Sequence, residues 1–221
     1  MRHFDSAPRT FIVLLASLLL LAYWSSAAGA ACNSQSPCIP PTTGCGYSST
    51  CDVFFANGVE YKNLAVHDFS WCVMVMPGQT NSGGFDCKVD AVISWDSGNS
   101  WTAYTDIPAL AWMTFIWGGT GSQGEDLYTA QLTQLDASGG GLPGAVRLRE
   151  SPVQNSNGQA SVLLVGNEYQ IDSFFDVFFE ISLDDGLTWA PSLSSCHVVL
   201  GPRGPVPARH STWGATKTLY R

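Results

Sequence analysis

Apolar and polar residues alternate along much of this chain, and the alternation predicts β-strands. From Phe85 to Trp95 the odd positions are apolar and the even positions are mainly polar. Residues 169–183 repeat the pattern, with Tyr169, Ile171 and Phe175 on the face expected to be buried. A period of two places successive side chains on opposite faces of a strand, so each segment should bury one face. No stretch of about 12 residues shows a helical period.

Several further segments are short, apolar and bounded by Gly, Asn, Ser or Pro, which marks them as strands between turns. They cover residues 51–56, 69–76, 109–117, 126–135, 145–149, 160–165 and 196–200. Many short strands at close spacing predict an all-β fold, and we expect one antiparallel β-sandwich over residues 53–200. Two subdomains, about 46–125 and 126–200, are the alternative architecture. Residues 112–117 are apolar on both faces, which is typical of a central strand.

The two ends of the chain differ from its body. Residues 1–30 have a basic start, an apolar run and the small residues Ala28-Gly29-Ala30, which predicts a secretory signal peptide. The run is too short to span a bilayer and no other run is longer, so we expect no transmembrane span in the mature chain. Residues 31–52 form a Cys-rich N-terminal segment, and residues 201–221 form a Pro/Gly linker and a basic C-terminal tail. The protein is therefore expected to be secreted or held at the cell surface.

All seven cysteines follow the predicted signal peptide, in a compartment where disulfide bonds persist. The disulfide candidates are Cys38, Cys45, Cys51, Cys72, Cys87 and Cys196. The sequence alone does not fix their connectivity. Cys32 directly follows the cleavage region, which leaves two alternatives for the odd cysteine. Either Cys32 is acylated, as in a lipoprotein, or one cysteine is a free or intermolecular thiol.

Two segments carry the same turn pattern, Ser-x-Asp-x-Gly-x-Ser/Thr-Trp. They are Ser94–Trp101 and Ser182–Trp189. In such a turn the Asp carboxylate accepts backbone N–H groups, the Gly takes a positive φ, and the Trp packs beneath the hairpin. The residues given this structural role are Ser94, Asp96, Gly98 and Trp101 in the first segment and Ser182, Asp184, Gly186, Thr188 and Trp189 in the second.

This pattern resembles the Asp-box (BNR-like) hairpin of sialidases, sortilin-like receptors and unrelated secreted folds. The resemblance implies structural hairpins that lie away from any catalytic site. Residues 146–200 are also similar to a segment of exported bacterial surface proteins of uncharacterised function, which implies location and fold but no catalytic residue. Sialidase activity is not expected, because residues 31–185 contain only two arginines, Arg147 and Arg149.

One predicted strand carries candidate ligand-binding residues on its polar face. They are Asp172, Phe174, Asp176, Phe178 and Glu180. At about 3.3 Å per residue, carboxylates four positions apart lie roughly 13 Å from each other, too far to share an ion or to act as a glycosidase pair. We expect a solvated face, with contact to sugar or calcium as the alternative. The eight tryptophans, including Trp71, Trp95, Trp112 and Trp117, also suggest one exposed aromatic platform for sugar rings.

Charge and composition narrow the function further. The chain has 18 acidic and 10 basic residues, a net charge of −8, which argues against nucleic acid and anionic lipid as partners. The pairs His67-Asp68 and Cys196-His197 are isolated, so no catalytic residue and no metal site is predicted, and calcium is suggested by charge alone. We expect a non-enzymatic secreted or cell-surface protein that acts in binding or surface assembly, with another surface protein or an extracellular polysaccharide as partner. A carbohydrate-binding module is the alternative, followed by a secreted glycan hydrolase.

Overall fold

A computed structural model describes residues 32–203, and these residues form strands, turns and loops with no helix among them. The strands are β1 (Cys32–Ser34), β2 (Cys38–Ile39), β3 (Cys45–Ser48), β4 (Asp52–Phe54), β5 (Glu60–His67), β6 (Val73–Met74), β7 (Thr80–Ser94), β8 (Thr102–Thr120), β9 (Asp126–Ser138), β10 (Arg147–Glu150), β11 (Ser156–Val165), β12 (Glu168–Val177), β13 (Phe179–Ser182), β14 (Ala190–Pro191) and β15 (Cys196–Pro202). The predicted signal peptide and residues 204–221 of the predicted tail lie outside the described residues. The predicted all-β class is confirmed.

Eight strands pair antiparallel in a closed ring, in the order β3, β5, β7, β8, β9, β11, β12, β15 and back to β3. The ring closes because β11 pairs with both β9 and β12, and β15 pairs with both β12 and β3. Antiparallel pairing is therefore confirmed, whereas a two-sheet sandwich is not, since these pairings form an eight-stranded barrel. Alternation marks one buried face on each strand, and a barrel and a sandwich share that pattern.

Further strands extend the barrel. β1 pairs with β12, β4 pairs with β5, and β10, β13 and β14 continue outward from β9 as a side sheet. β2 and β6 pair with each other. The two halves considered as subdomains hydrogen-bond to each other through the strand pairs β8–β9 and β3–β15, and through a bridge between Phe55 and Ser192.

Aromatic side chains fill the interior of the barrel. Tyr61, Phe115, Phe175 and Phe179 are almost completely buried. Edge-to-face contacts link them to one another and to Tyr47: the ring centroids of Tyr47 and Phe175 are 5.5 Å apart, and those of Tyr61 and Phe179 are 5.3 Å apart. This packing of inward residues from β3, β5, β8, β12 and β13 fixes which side chains face outward on each strand.

Three disulfide bonds cross-link the described residues. They are Cys32–Cys45, Cys38–Cys72 and Cys51–Cys196, the last of which joins residues 145 positions apart. Cys32 is thus a disulfide partner, and the lipoprotein alternative is wrong for this residue because its sulfur is already bonded.

Cys87 was expected among the disulfide candidates but is a buried thiol. It lies on the inward face of β7, opposite Ala109 of β8, where the alternation of the strand directs it into the apolar core. Burial, reinforced by the charge of Asp86, raises its pKa to about 12. The odd cysteine is therefore an unreactive core residue.

Candidate functional site

The first Ser-x-Asp-x-Gly turn connects β7 to β8 and is held by its own side chains. The Asp96 carboxylate accepts hydrogen bonds from the Ser94 hydroxyl (2.8 Å), the Ser100 N–H (2.8 Å) and the Ser100 hydroxyl (2.7 Å). The Gly98 N–H donates to the Ser94 hydroxyl oxygen (2.8 Å), and Gly98 has a φ of 84°. The bonds from Ser100 and Ser94 lower the pKa of Asp96.

The second turn connects β13 to β14 and repeats this network. The Asp184 carboxylate accepts bonds from the Ser182 hydroxyl (2.7 Å), the Thr188 N–H (2.8 Å) and the Thr188 hydroxyl (2.6 Å). The Gly186 N–H donates to the Ser182 hydroxyl oxygen (2.8 Å), and Gly186 has a φ of 89°. The bonds from Thr188 and Ser182 lower the pKa of Asp184 to about 2. Both carboxylates are engaged within their own turns.

A cation covers the tryptophan that ends each turn. The Lys62 ammonium lies 3.7 Å from the Trp101 ring centroid, and the Arg149 guanidinium lies 3.8 Å from the Trp189 ring centroid. Each cation stands on the neighbouring strand, opposite the residue two positions before the serine of the turn. The two hairpins are a structural repeat, and these hydrogen bonds and cation–ring contacts hold both turns in the same geometry.

The five residues proposed as a ligand face do not remain together. Asp172, Phe174 and Asp176 lie on the outer face of β12, where His197 of β15 joins them. The imidazole Nδ1 is 2.8 Å from the Asp176 carboxylate, and the ring centroids of Phe174 and His197 are 5.0 Å apart. Phe178 falls in the break between β12 and β13. We call Asp172, Phe174, Asp176 and His197 the β12 face.

A shallow depression of about 370 Å³ lies beside the β12 face. Its polar lining residues are Gln159, Ser161, Asp172, Ser173 and His197. From the sequence, His197 was seen only as part of the isolated Cys196-His197 pair. Its position beside Asp176 depends on the antiparallel pairing of β12 with β15, which the alternation of apolar and polar residues does not reveal.

Glu180 belongs to the buried structure and not to a solvated face. Its carboxylate accepts two bonds from the Arg149 guanidinium (3.0 and 2.7 Å) and one from the Ser151 hydroxyl (3.1 Å). The expected alternation fails here because β13, placed between β10 and β14, is buried on both faces. Neighbouring Glu150 is also buried, and this burial raises its pKa to about 7.

An apolar row lies on the outer face of β8. Leu110, Trp112 and Ile116 are 40%, 44% and 49% exposed, while the alternate residues from 109 to 115 are buried. We call Leu110, Trp112, Thr114 and Ile116 the β8 strip. The prediction that residues 112–117 are covered on both faces is wrong, because nothing in the described chain packs over the outside of this strand.

Trp112 lies across the backbone of Gly84, its partner on β7. A Cβ atom at Gly84 would overlap two atoms of the indole ring and crowd a third. Next along the strip, the hydroxyls of Ser82 and Thr114 are hydrogen-bonded at 2.8 Å, and Gln134 of β9 is paired with Trp112 on the other side. Because Gly84 has no side chain, one face of the Trp112 indole lies against the sheet and the other face is exposed to solvent.

The remaining tryptophans considered as a sugar platform are not aligned with Trp112 on the same strand face. Trp71 is 65% exposed and lies in the loop before β6, and Trp117 follows the strip at a register shift of β8. Trp95 is partly buried and donates to the Tyr104 hydroxyl (3.0 Å). A row of parallel exposed indoles is thus not present in the described residues.

No family model, curated protein or solved structure matches this chain. Among residues 32–203 there is no helix long and apolar enough to cross a membrane.

The β8 strip could not be predicted from the sequence, because both the odd-numbered and the even-numbered positions of this strand are mostly apolar. One signal was available: small Ala109 and Ala111 occupy one set, and the polar Thr114 interrupts the other. Small residues suit the inside of a barrel wall and an isolated Thr suits its outside, so the two faces are distinguishable once a closed barrel is known.

Proposed function

We propose that the mature chain is an exported, non-enzymatic protein that binds another surface protein through the β8 strip. The observation that carries this proposal is the row of exposed apolar side chains Leu110, Trp112 and Ile116 on a strand that is paired on both sides. Monomeric proteins rarely leave contiguous apolar patches exposed unless the patch has a partner. Tryptophan at the centre of such a patch is typical of the residues that dominate binding energy at protein interfaces.

The surroundings of the strip support a protein partner. From Trp112 to Ile116 its cross-strand neighbours are Gly84, Ser82 and Thr80 on β7 and Gln134, Gln131 and Thr129 on β9, all uncharged. Carboxylates flank only Leu110, at one end, where its partners are Asp86 and Asp136. Interface centres are depleted of charge in the same way, with polar residues at their rim.

Two exposed methionines lie in and just after β6, apart from the β8 strip. Met74 and Met76 are each 45% exposed, whereas Val73 and Val75, which alternate with them, are buried. The Met76 N–H donates to the Asn81 side chain (3.2 Å), which ties this segment to the start of β7. Methionine side chains adapt to the shape of a partner and are frequent at binding surfaces.

Export is supported by the disulfide bonds. Three bonds among 172 described residues suit an oxidising compartment, because cytosolic thiols are kept reduced. The predicted signal peptide agrees with this location.

A non-enzymatic role is supported by the way in which acidic side chains are used. Asp96 and Asp184 each accept three bonds within a turn, and Glu180 is paired with Arg149. These groups stabilise local structure and are not directed at a common cleft.

Carbohydrate binding at the β12 face is the second candidate function. The depression there brings an aromatic ring, Phe174, together with the hydrogen-bonding groups of Gln159, Asp172 and His197. Aromatic faces flanked by such groups suit sugar rings.

Binding of the purified mature protein to envelopes of the exporting cells separates the two functions. We would compare Ile116→Lys on the strip, Phe174→Ala on the β12 face, and Leu187→Lys as a control at an 84% exposed site. The same envelopes would be tested after protease digestion and, separately, after periodate oxidation of their sugars.

A protein partner predicts that Ile116→Lys and protease digestion each abolish binding, while Phe174→Ala and Leu187→Lys retain it. A polysaccharide partner predicts the opposite: binding survives protease, is lost on periodate oxidation, and depends on Phe174. Full binding by Ile116→Lys with an unchanged melting temperature would overturn the proposal for the strip.

A further inference from the structure

His67, the last residue of β5, is a buried imidazole without a hydrogen-bond partner in the part of the chain that the structure describes. It is 3% exposed, and neither ring nitrogen makes a hydrogen bond of acceptable geometry. Nδ1 lies 3.5 Å from the Asp68 carboxylate, which is too long for a hydrogen bond, and Nε2 lies 3.0 Å from an Asp90 carboxylate oxygen, with poor alignment. Buried polar atoms are normally satisfied, so this side chain lacks a partner, which residues 32–203 do not supply in this arrangement.

Two carboxylates from different elements converge on this imidazole. One ring nitrogen of His67, one oxygen of Asp68 and one oxygen of Asp106 all lie within 4.8 Å of one another. Asp68 follows β5, and Asp106 belongs to β8 at a register shift between β7 and β8. Three ligand atoms bound tetrahedrally to one ion at about 2.0–2.2 Å stand roughly 3.3–3.6 Å apart, so side-chain movements of about 1 Å would bring these atoms to that separation.

Asp90 contacts both Asp106 and His67. One of its carboxylate oxygens accepts the backbone N–H of Asp106 (2.8 Å), and the other faces Nε2 of His67. Histidines that ligate metals commonly direct the second ring nitrogen to a carboxylate, which fixes the tautomer and the orientation of the ring. Nε2 is 3.0 Å from Asp90 but is not aligned for a hydrogen bond, so ion binding would require a small rotation of the ring that directs Nε2 to Asp90 and leaves Nδ1 to face Asp68 and the ion.

We propose that His67, Asp68 and Asp106 form a binding site for a divalent transition-metal ion such as Zn²⁺, with Asp90 as the orienting carboxylate. One imidazole and two carboxylates are a ligand set that zinc accepts, with a remaining position for water. Calcium does not suit the site, because it prefers six to eight oxygen ligands and does not seek an imidazole nitrogen.

Lys88 occupies the same space as a competing cation. Its ammonium lies 3.1 Å from the Asp106 carboxylate and 3.5 Å from the Asp68 carboxylate, and Arg203 also pairs with Asp68. The Lys88 side chain is 44% exposed and can turn into solvent when an ion binds. The metal must displace this ammonium, so Lys88 sets the affinity of the site.

The test uses the oxidised mature protein, freed of metal with a chelator and titrated with ZnCl₂ by calorimetry, with the melting temperature as a second readout. Lys88→Gln removes the competing charge, and Asp106→Asn removes an exposed ligand with little risk to folding. His197→Gln is the matched control, because His197 forms the other His–Asp contact in the described residues.

We expect Zn²⁺ to raise the melting temperature of the wild type, Lys88→Gln to bind at least about tenfold more tightly, and Asp106→Asn to bind at least about tenfold more weakly. His197→Gln should bind like the wild type. Absence of binding in both the wild type and Lys88→Gln would overturn the proposal, as would binding that Asp106→Asn leaves unchanged or that His197→Gln abolishes.

Discussion

Replacing Arg149 by Met should destabilise the protein far more than the same change at Arg147, two residues away. Arg149 makes a two-bonded ion pair with Glu180 and covers the Trp189 ring. Arg147 pairs with Asp185, and both of these side chains are well exposed. The two arginines share a strand and a charge, so they form a matched pair of sites that differ in burial.

The expected loss in the free energy of unfolding depends on which group each substitution leaves without its partner. Glu180 has a 10% exposed side chain, and without Arg149 its carboxylate retains only the Ser151 hydroxyl. Removing one member of a buried pair costs about 3–5 kcal/mol. Because Arg149 is itself 30% exposed, solvent screening places the loss near the lower end, about 3 kcal/mol. The exposed pair of Arg147 should contribute less than about 1 kcal/mol.

The assay is urea unfolding with the disulfide bonds intact, followed by tryptophan fluorescence. The double variant Arg149→Met/Glu180→Leu should recover most of the lost stability, because it removes the unpaired buried charge and fills the space with apolar groups. Equal losses for Arg149→Met and Arg147→Met would refute the assignment of Glu180 to the buried structure. So would a double variant no more stable than Arg149→Met.

Two other predictions concern carboxyl groups. Burial, with smaller contributions from Glu180 and Asp136, raises the pKa of Glu150 from 4.5 to about 7. Since the folded protein then holds this proton more tightly than the unfolded chain, the stability contributed by the group is lost as pH rises from about 4.5 through 7. Glu150→Gln should therefore be about 1–2 kcal/mol more stable than the wild type at pH 8, after allowance for solvent screening, and nearly as stable as the wild type at pH 4. Denaturant titrations at the two pH values measure this difference in the free energy of unfolding. An effect of the substitution that does not depend on pH would contradict the prediction. Asp184→Ala should lower the melting temperature by a few degrees, because the turn loses the hydrogen bonds to this carboxylate, and envelope binding should be unchanged. Loss of binding at an unchanged melting temperature would mean that Asp184 contacts a ligand.

Longer strands whose alternation persists over most of their length could be predicted from the sequence, whereas the short strand β5, with a bulge at its middle, could not. β7 keeps one apolar face from Phe85 to Ile93 and was predicted. β5 was missed because its register shifts between Lys62 and Ala65, with Asn63 at a φ of 53°, so that the buried positions change parity within the strand. A single extra residue moves every later side chain to the other face.

The candidate sites depend on pairings between distant strands, which alternation does not contain. Glu180 was placed on the same face as Asp176, but the break at Phe178 and the flanking strands bury it. His67 and Asp106 are 39 positions apart and meet only because β5 and β8 both flank β7. In the Ser94–Trp101 and Ser182–Trp189 turns, by contrast, the bonds to the Asp carboxylate and the Ser hydroxyl come from within four residues, so a local sequence pattern is enough to indicate them.

The central claim, that the β8 strip contacts a protein partner, is tested most directly by site-specific photo-crosslinking on the exporting cells. A photoreactive phenylalanine would replace Thr114, in the middle of the strip, or Leu187, on the hairpin between β13 and β14. The proposed function predicts one protein adduct of defined mass from position 114 and none from position 187. Equal adducts from both positions, or no adduct from position 114 although the protein is bound to the cells, would contradict it.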